Sequence, residues 1–166
     1  MTVVSIAEDV LTLTDEGPVL QATVCGACGN HMFPIQRGFC QQCMSDDLRP
    51  TRLRSTGTLW SWTIQAFPPK SPPYIGDDDP ATFRPYGVGY IELDGQLRLE
   101  SRLTVAEPDQ LRIGMAMRLT TVPIATNDDG DQVVTFAFAP VDTPDDADTP
   151  DASTASARDD AEGAGS

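Results

Sequence analysis

Cys25-Gly-Ala-Cys28 and Cys40-Gln-Gln-Cys43 are two Cys-x2-Cys hooks separated by eleven residues. Each hook turns tightly enough to aim two thiolates at one point, and two hooks at this spacing suit a tetrahedral zinc ion. The chain has no other cysteine. Two disulfides or four free thiols are the alternatives. The opening residues, Met1-Thr-Val-Val-Ser-Ile-Ala-Glu-Asp, lack the basic start and long apolar run of a secretory signal, which predicts a cytoplasmic, reducing setting. In such a setting paired hooks read as a metal site. Four thiolates fill the tetrahedron and leave no position for water or substrate, so the expected metal is structural. Iron can take the same donor set, so the identity of the ion is less tightly specified than the site.

The only histidine, His31, lies between the hooks as a surplus ligand and is assigned to a loop or the surface. Few apolar residues accompany the cysteines: Met32, Phe33, Ile35 and Phe39. Metal binding and ribbon folding are therefore expected to be coupled. Working outward, Val19–Val24 reads as a strand entering the first hook. This frames a rubredoxin-like zinc ribbon over residues 19–50, after a lead segment, 1–18, whose structure is ambiguous. Residues 44–54 read as the way out of the ribbon.

Beyond them come five strand-like runs. Thr58-Leu-Trp-Ser-Trp-Thr-Ile64 alternates, which places Trp60, Trp62 and Ile64 on one face. Tyr86-Gly-Val-Gly-Tyr-Ile-Glu-Leu93 carries glycines that signal a bend or a close backbone approach. Asp94-Gly95 is a hairpin turn, after which Leu97, Leu99, Ser101 and Leu103 alternate with Arg98, Glu100 and Arg102. Runs over 114–122 and 132–139 follow, the second with Val134, Phe136 and Phe138 on one face and Asn127–Gly130 as the turn before it. Residues 104–113 are too short and Pro-interrupted for a long helix. The fold class is therefore mainly β: the ribbon followed by a five-stranded Greek-key barrel of OB type over 51–141.

Residues 142–166 hold eight acids and one arginine and no aromatic or large aliphatic side chain. They cannot bury enough surface to offset ordering entropy, and a disordered acidic tail is expected. The whole chain carries −14, with a single lysine, Lys70, against ten arginines. A halophilic cytosol and a GC-rich genome both account for that bias. No stretch reaches the ~18 apolar residues that suggest a membrane span.

One connection stands out. Residues 66–85 form a twenty-residue loop with six prolines, longer than compact domains normally use. It holds Phe67, Lys70, Tyr74, Ile75, Phe83 and Arg84. Apolar anchors in a loop point either to docking on a partner or to folding back onto the barrel.

The hooks with Gly29, Phe33-Pro34, Arg37 and Phe39, then Gly57-Thr58-Leu59, Phe83-Arg84-Pro85-Tyr86, Val88-Gly89-Tyr90-Ile91-Glu92-Leu93, Asp94-Gly95 and Ser101-Arg102-Leu103, resemble the zinc-ribbon/OB-fold acyl-CoA-associated family, long catalogued as a domain of unknown function. The resemblance covers roughly residues 19–140. Gln41 and Met44 depart from it, standing where proline and glycine are frequent. It implies a non-catalytic accessory subunit that pairs with a thiolase, a thiolase-like aldolase or a related CoA-condensing enzyme and helps enclose or channel its CoA thioester. On that reading the Pro-rich loop caps the partner's active site, with Tyr74, Arg84 and Tyr86 near interface or substrate. Arg98 and Arg102 become candidates for CoA phosphates, or else are exposed or paired with Glu92 and Glu100.

The residues themselves supply no competing catalytic constellation, since the cysteines are committed to metal and no Gly-rich phosphate loop appears. Two alternatives remain. Nucleic-acid binding would use Trp60, Trp62, Tyr86 and Tyr90 as stacking platforms, but the body is acidic and its one basic cluster is Arg49, Arg52 and Arg54. A free-standing acyl-CoA binding protein would keep the loop without a partner.

Overall fold

The computed structural model describes residues 2–71, 74–77 and 79–141. The acidic segment 142–166 lies outside them. The strands are β1 (Val3–Ser5), β2 (Leu11–Thr14), β3 (Gly17–Cys25), β4 (His31–Met32), β5 (Leu48–Arg52), β6 (Thr56–Gln65), β7 (Tyr86–Leu93), β8 (Leu97–Leu103), β9 (Ala116–Thr126) and β10 (Gln132–Pro140). Among the described residues the only helix is the short 3-10 turn Pro108–Gln110, and none is long and apolar enough to cross a membrane.

β6, β7 and β8 form an antiparallel meander, β8 lies parallel to the end of β10, and β9 pairs with both β10 and β6. This closes a five-stranded barrel with OB connectivity. Leu59, Ile91, Leu93, Leu99, Leu103, Met117, Val134 and Phe138 fill it. The turn at Asp94-Gly95 forms as expected, with Gly95 at φ +72, where a side chain is strained.

The glycines of β7 serve close approach. A Cβ on Gly89 would stand 2.8 Å from Leu59 Cδ1 and 2.9 Å from the Ser61 carbonyl oxygen. One on Gly87 would run into the carbonyl oxygen of Val105. Backbone cannot yield cheaply, so Gly87→Ala is expected to destabilise the protein by about 1–3 kcal/mol, measured by denaturant unfolding.

β6 departs from simple alternation. Its register with β7 slips between Leu59 and Ser61, leaving Trp60 as the extra residue of a bulge. Leu59 is buried and Trp62 and Ile64 pack on the core, while Trp60 is 46% exposed. Sequence alternation put Trp60 with Trp62; the inserted residue turns it outward.

The lead segment and the ribbon exit are both structured. β1 adds in parallel to β10, β2 forms a hairpin with β3, and β5 pairs along β3 opposite to β4. Leu11, Leu20, Ala22 and Leu53 join the barrel's apolar cluster, and Phe33 meets Phe136 edge-on at 5.6 Å. The Gln96 side chain, in the β7–β8 turn, accepts from the Arg54 N–H at 2.8 Å and donates to the Arg52 carbonyl at 3.2 Å. The ribbon is thus seated on the barrel.

Candidate metal centre and barrel face

The hooks bring four sulfurs together. β3 delivers Cys25, the turn after it delivers Cys28, and the second hook places Cys40 and Cys43 opposite, all four Sγ atoms lying within 4.8 Å of one another. The Cys25–Cys43 and Cys28–Cys40 separations are 3.6 and 3.7 Å. A tetrahedron with metal–sulfur bonds of about 2.3 Å has edges of about 3.8 Å, so the sulfurs stand where a zinc-sized ion would hold them. His31, half-buried in β4, is not in this group.

Backbone donors support the thiolates. The N–H groups of Cys43 and Gln42 lower the Cys40 thiol to about 6, the Gln42 N–H lying 3.4 Å from Cys40 Sγ. Cys28 is pushed up to about 12: the Asn30 N–H pulls it down, but the Cys43 thiol, desolvation and the other two cysteines outweigh that. Four thiols this close resist ionising together without a cation to neutralise them. In the second hook Met44 sits at φ +62, a conformation that costs a non-glycine residue about 1–2 kcal/mol. Its backbone N–H donates to the Cys40 carbonyl at 2.9 Å.

The second surface is the outward side of β7 and β8. Tyr86, Val88, Tyr90 and Glu92 alternate with buried residues on β7, and Arg98, Glu100 and Arg102 do so on β8. Arg98 lies 4.4 Å over the Trp60 ring and is paired with Glu92 at 2.7 Å, while Trp60 meets Tyr90 edge-on. Arg102 lies 3.8 Å over Tyr86, whose ring packs against Phe83 at 5.9 Å. Burial, followed by Tyr74, raises the Tyr86 phenol, and Arg102 opposes them.

Loop 66–85 borders this face. Phe67 and Ile75 are 69% and 53% exposed and Lys70 is exposed, whereas Tyr74 and Phe83 are half-buried. Tyr74, Thr82, Phe83 and Arg84 of the loop meet Arg102 of β8 and Pro123 and Ile124 of β9 around a recess of about 190 Å³. Of the eight residues that sequence reasoning placed toward substrate or partner, the fold gathers Tyr74, Phe83, Arg84, Tyr86 and Arg102 here. Arg98 sits further along the sheet, and Phe67 and Lys70 lie outside the recess lining. The exposure of Trp60 was hidden by the bulge. In the basic cluster, Arg49 is held by Asp47 at 2.8 Å.

A four-sulfur ribbon seated on a closed OB barrel, with a long loop bordering strands two and three of the barrel, defines the class of protein. Residues 51–122 match the family model described as ChsH2, C-terminal OB-fold domain. That match spans most of the barrel and leaves the ribbon outside it. It is 29% identical over 132 residues to the benzoylsuccinyl-CoA thiolase subunit BbsA of Geobacter metallireducens, covering 78% of this chain and 82% of the relative. It is 26% identical over 118 residues to a DUF35 domain-containing scaffold protein of Pyrococcus furiosus, covering 70% and 81%. Among solved structures it resembles the Ltp2-ChsH2(DUF35) aldolase, with a TM-score of 0.53 and 26% identity over 74% of this chain and 84% of that one.

Proposed function

We propose that this chain is a non-catalytic accessory subunit of a thiolase, thiolase-like aldolase or related CoA-condensing enzyme. The observation that carries the reading is similarity across most of the chain to a thiolase subunit and to an aldolase-associated chain. Zinc bound by Cys25, Cys28, Cys40 and Cys43 is structural in this reading, and the protein works in the cytoplasm. The loop and the outer face of β7–β8 meet the partner, with Phe67, Lys70, Tyr74, Phe83, Arg84, Tyr86, Arg98 and Arg102 toward the interface or the shared CoA thioester. Trp60, Tyr90 and Arg98 add support, because exposed Trp, Tyr and Arg held in place by one another are the residue types that dominate interface energetics.

Affinity capture of the tagged full chain from native lysate, followed by mass spectrometry, tests the proposal. A stoichiometric thiolase-fold partner is expected, and deletion of residues 68–82 should reduce its recovery at least about tenfold. Recovery of nucleic acid alone, or of no partner, would count against it.

A further inference from the structure

We propose that Arg84 and Arg102 form a binding site for a phosphate group in the recess beneath loop 66–85. This deepens the accessory-subunit reading, which supplies the ligand, and it separates two arginines that sequence alone treats alike. Arg98 is committed: Glu92 neutralises it and Trp60 stacks on it. Arg102 is also fixed, by the Tyr86 ring 3.8 Å away, yet among the described residues neither it nor Arg84 has a carboxylate partner. Stacking restrains the guanidinium without using its charge, and a planar fork of donors matches phosphate oxygens.

The surroundings agree. The one described carboxylate lining the recess, Asp77, accepts from the Thr82 hydroxyl at 3.0 Å and the Asp79 N–H at 3.1 Å, which ties it into the loop. Tyr74 reaches the recess because residue 76 is glycine; a Cβ there would collide with the Tyr74 hydroxyl. The volume, about 190 Å³, is below the ~300 Å³ at which pockets begin to hold a whole organic ligand. The recess therefore takes one charged end of a larger molecule. General attraction does not explain such binding, because the chain carries −14 and repels anions at long range.

The test is titration of the full-length, 15N-labelled protein with sodium pyrophosphate at constant ionic strength, reading the arginine Nε–Hε resonances. Those of Arg84 and Arg102 should shift together and saturate while that of Arg98 stays still. Arg102→Gln should weaken binding at least about tenfold, and Arg112→Gln, at an exposed position outside the recess lining, should leave it unchanged. Arg84→Gln, at an exposed position, provides the same reading if the Arg102 variant folds poorly. Coenzyme A as a second probe separates the sources. Saturation at roughly tenfold lower concentration assigns the phosphate to a nucleotide-type ligand that extends beyond the recess. Equal midpoints assign the recess to phosphate groups whatever carries them, and both results support the site. Shifts that never saturate with either probe, or that move all three arginines alike, overturn it. A captured thiolase-fold partner without saturation defeats only the phosphate site, whereas saturation without a partner defeats only the accessory-subunit reading.

Discussion

Cys40→Ser is expected to yield protein that purifies without stoichiometric zinc and exchanges backbone hydrogens freely over residues 25–47, while the barrel stays protected. Cys40 is fully buried, receives the Gln42 N–H at 3.4 Å, and lies 3.7 Å from Cys28 across the site. Beyond the cysteines, the ribbon's buried cluster contains only Met32, with Leu48 packed against it. Burying one such side chain is worth about 1.5–3 kcal/mol, against an ordering cost of about 1–2 kcal/mol for each backbone residue. Structural zinc in small ribbons contributes about 10–16 kcal/mol, so an ion held by the four cysteines would decide whether this segment folds. The barrel rests on a separate cluster of fourteen buried residues, none of them in the hooks. Metal analysis by mass spectrometry and hydrogen exchange check this together. Retained metal with undiminished protection over residues 25–47 would show that three sulfurs suffice and that Cys40 is a packing residue.

The second large effect is expected at the barrel seam. Phe138→Ala should lower stability by about 3–5 kcal/mol and the melting temperature by roughly 10 °C for a domain of this size. Phe138 is fully buried at the point where β10 pairs with Leu119 of β9 and Leu103 of β8, and its carbonyl accepts from the Thr104 N–H at 3.1 Å. Truncation leaves a cavity where β10 bridges β8 and β9, two strands that do not pair with each other, so collapse of the site would strain the closure of the barrel. Denaturant and thermal unfolding measure the loss. A change below about 1 kcal/mol would mean that the seam relaxes around the gap and that closure does not depend on this ring.

Local chemistry made the main outline legible. The strand bearing Leu97, Leu99, Ser101 and Leu103 was readable because its polar and apolar residues alternate without interruption, and the last three are all buried. Asp94-Gly95 was readable because a tight hairpin needs φ above zero there. Two elements were not. β5 contains the run Leu-Arg-Pro-Thr-Arg, whose polarity and proline conceal a strand stabilised by pairing with β3. β1 is three residues long, too short for any period to register, and exists because β10 offers it an edge. The outward turn of Trp60 was hidden for a related reason: a bulge is a property of the pairing between β6 and β7, so nothing in the residues of β6 alone marks it.

By itself the sequence determined that four cysteines stand as two hooks able to share one ion, the order of the barrel strands along the chain and the unusual length of loop 66–85. Those depend on residue type and spacing over a few positions, where covalent geometry and strand periodicity act directly. Tertiary structure alone decided that the ribbon is built onto the barrel through Leu11, Leu20, Leu53 and Gln96. It alone decided that Arg98 meets Glu92 whereas Arg102 meets Tyr86. Arg98 and Arg102 are the same residue type on the same face of one strand, and what separates them is which side chains the neighbouring strand and loop bring within reach. That is set by register across the sheet and by the path of a loop, and neither is encoded within the strand that carries them.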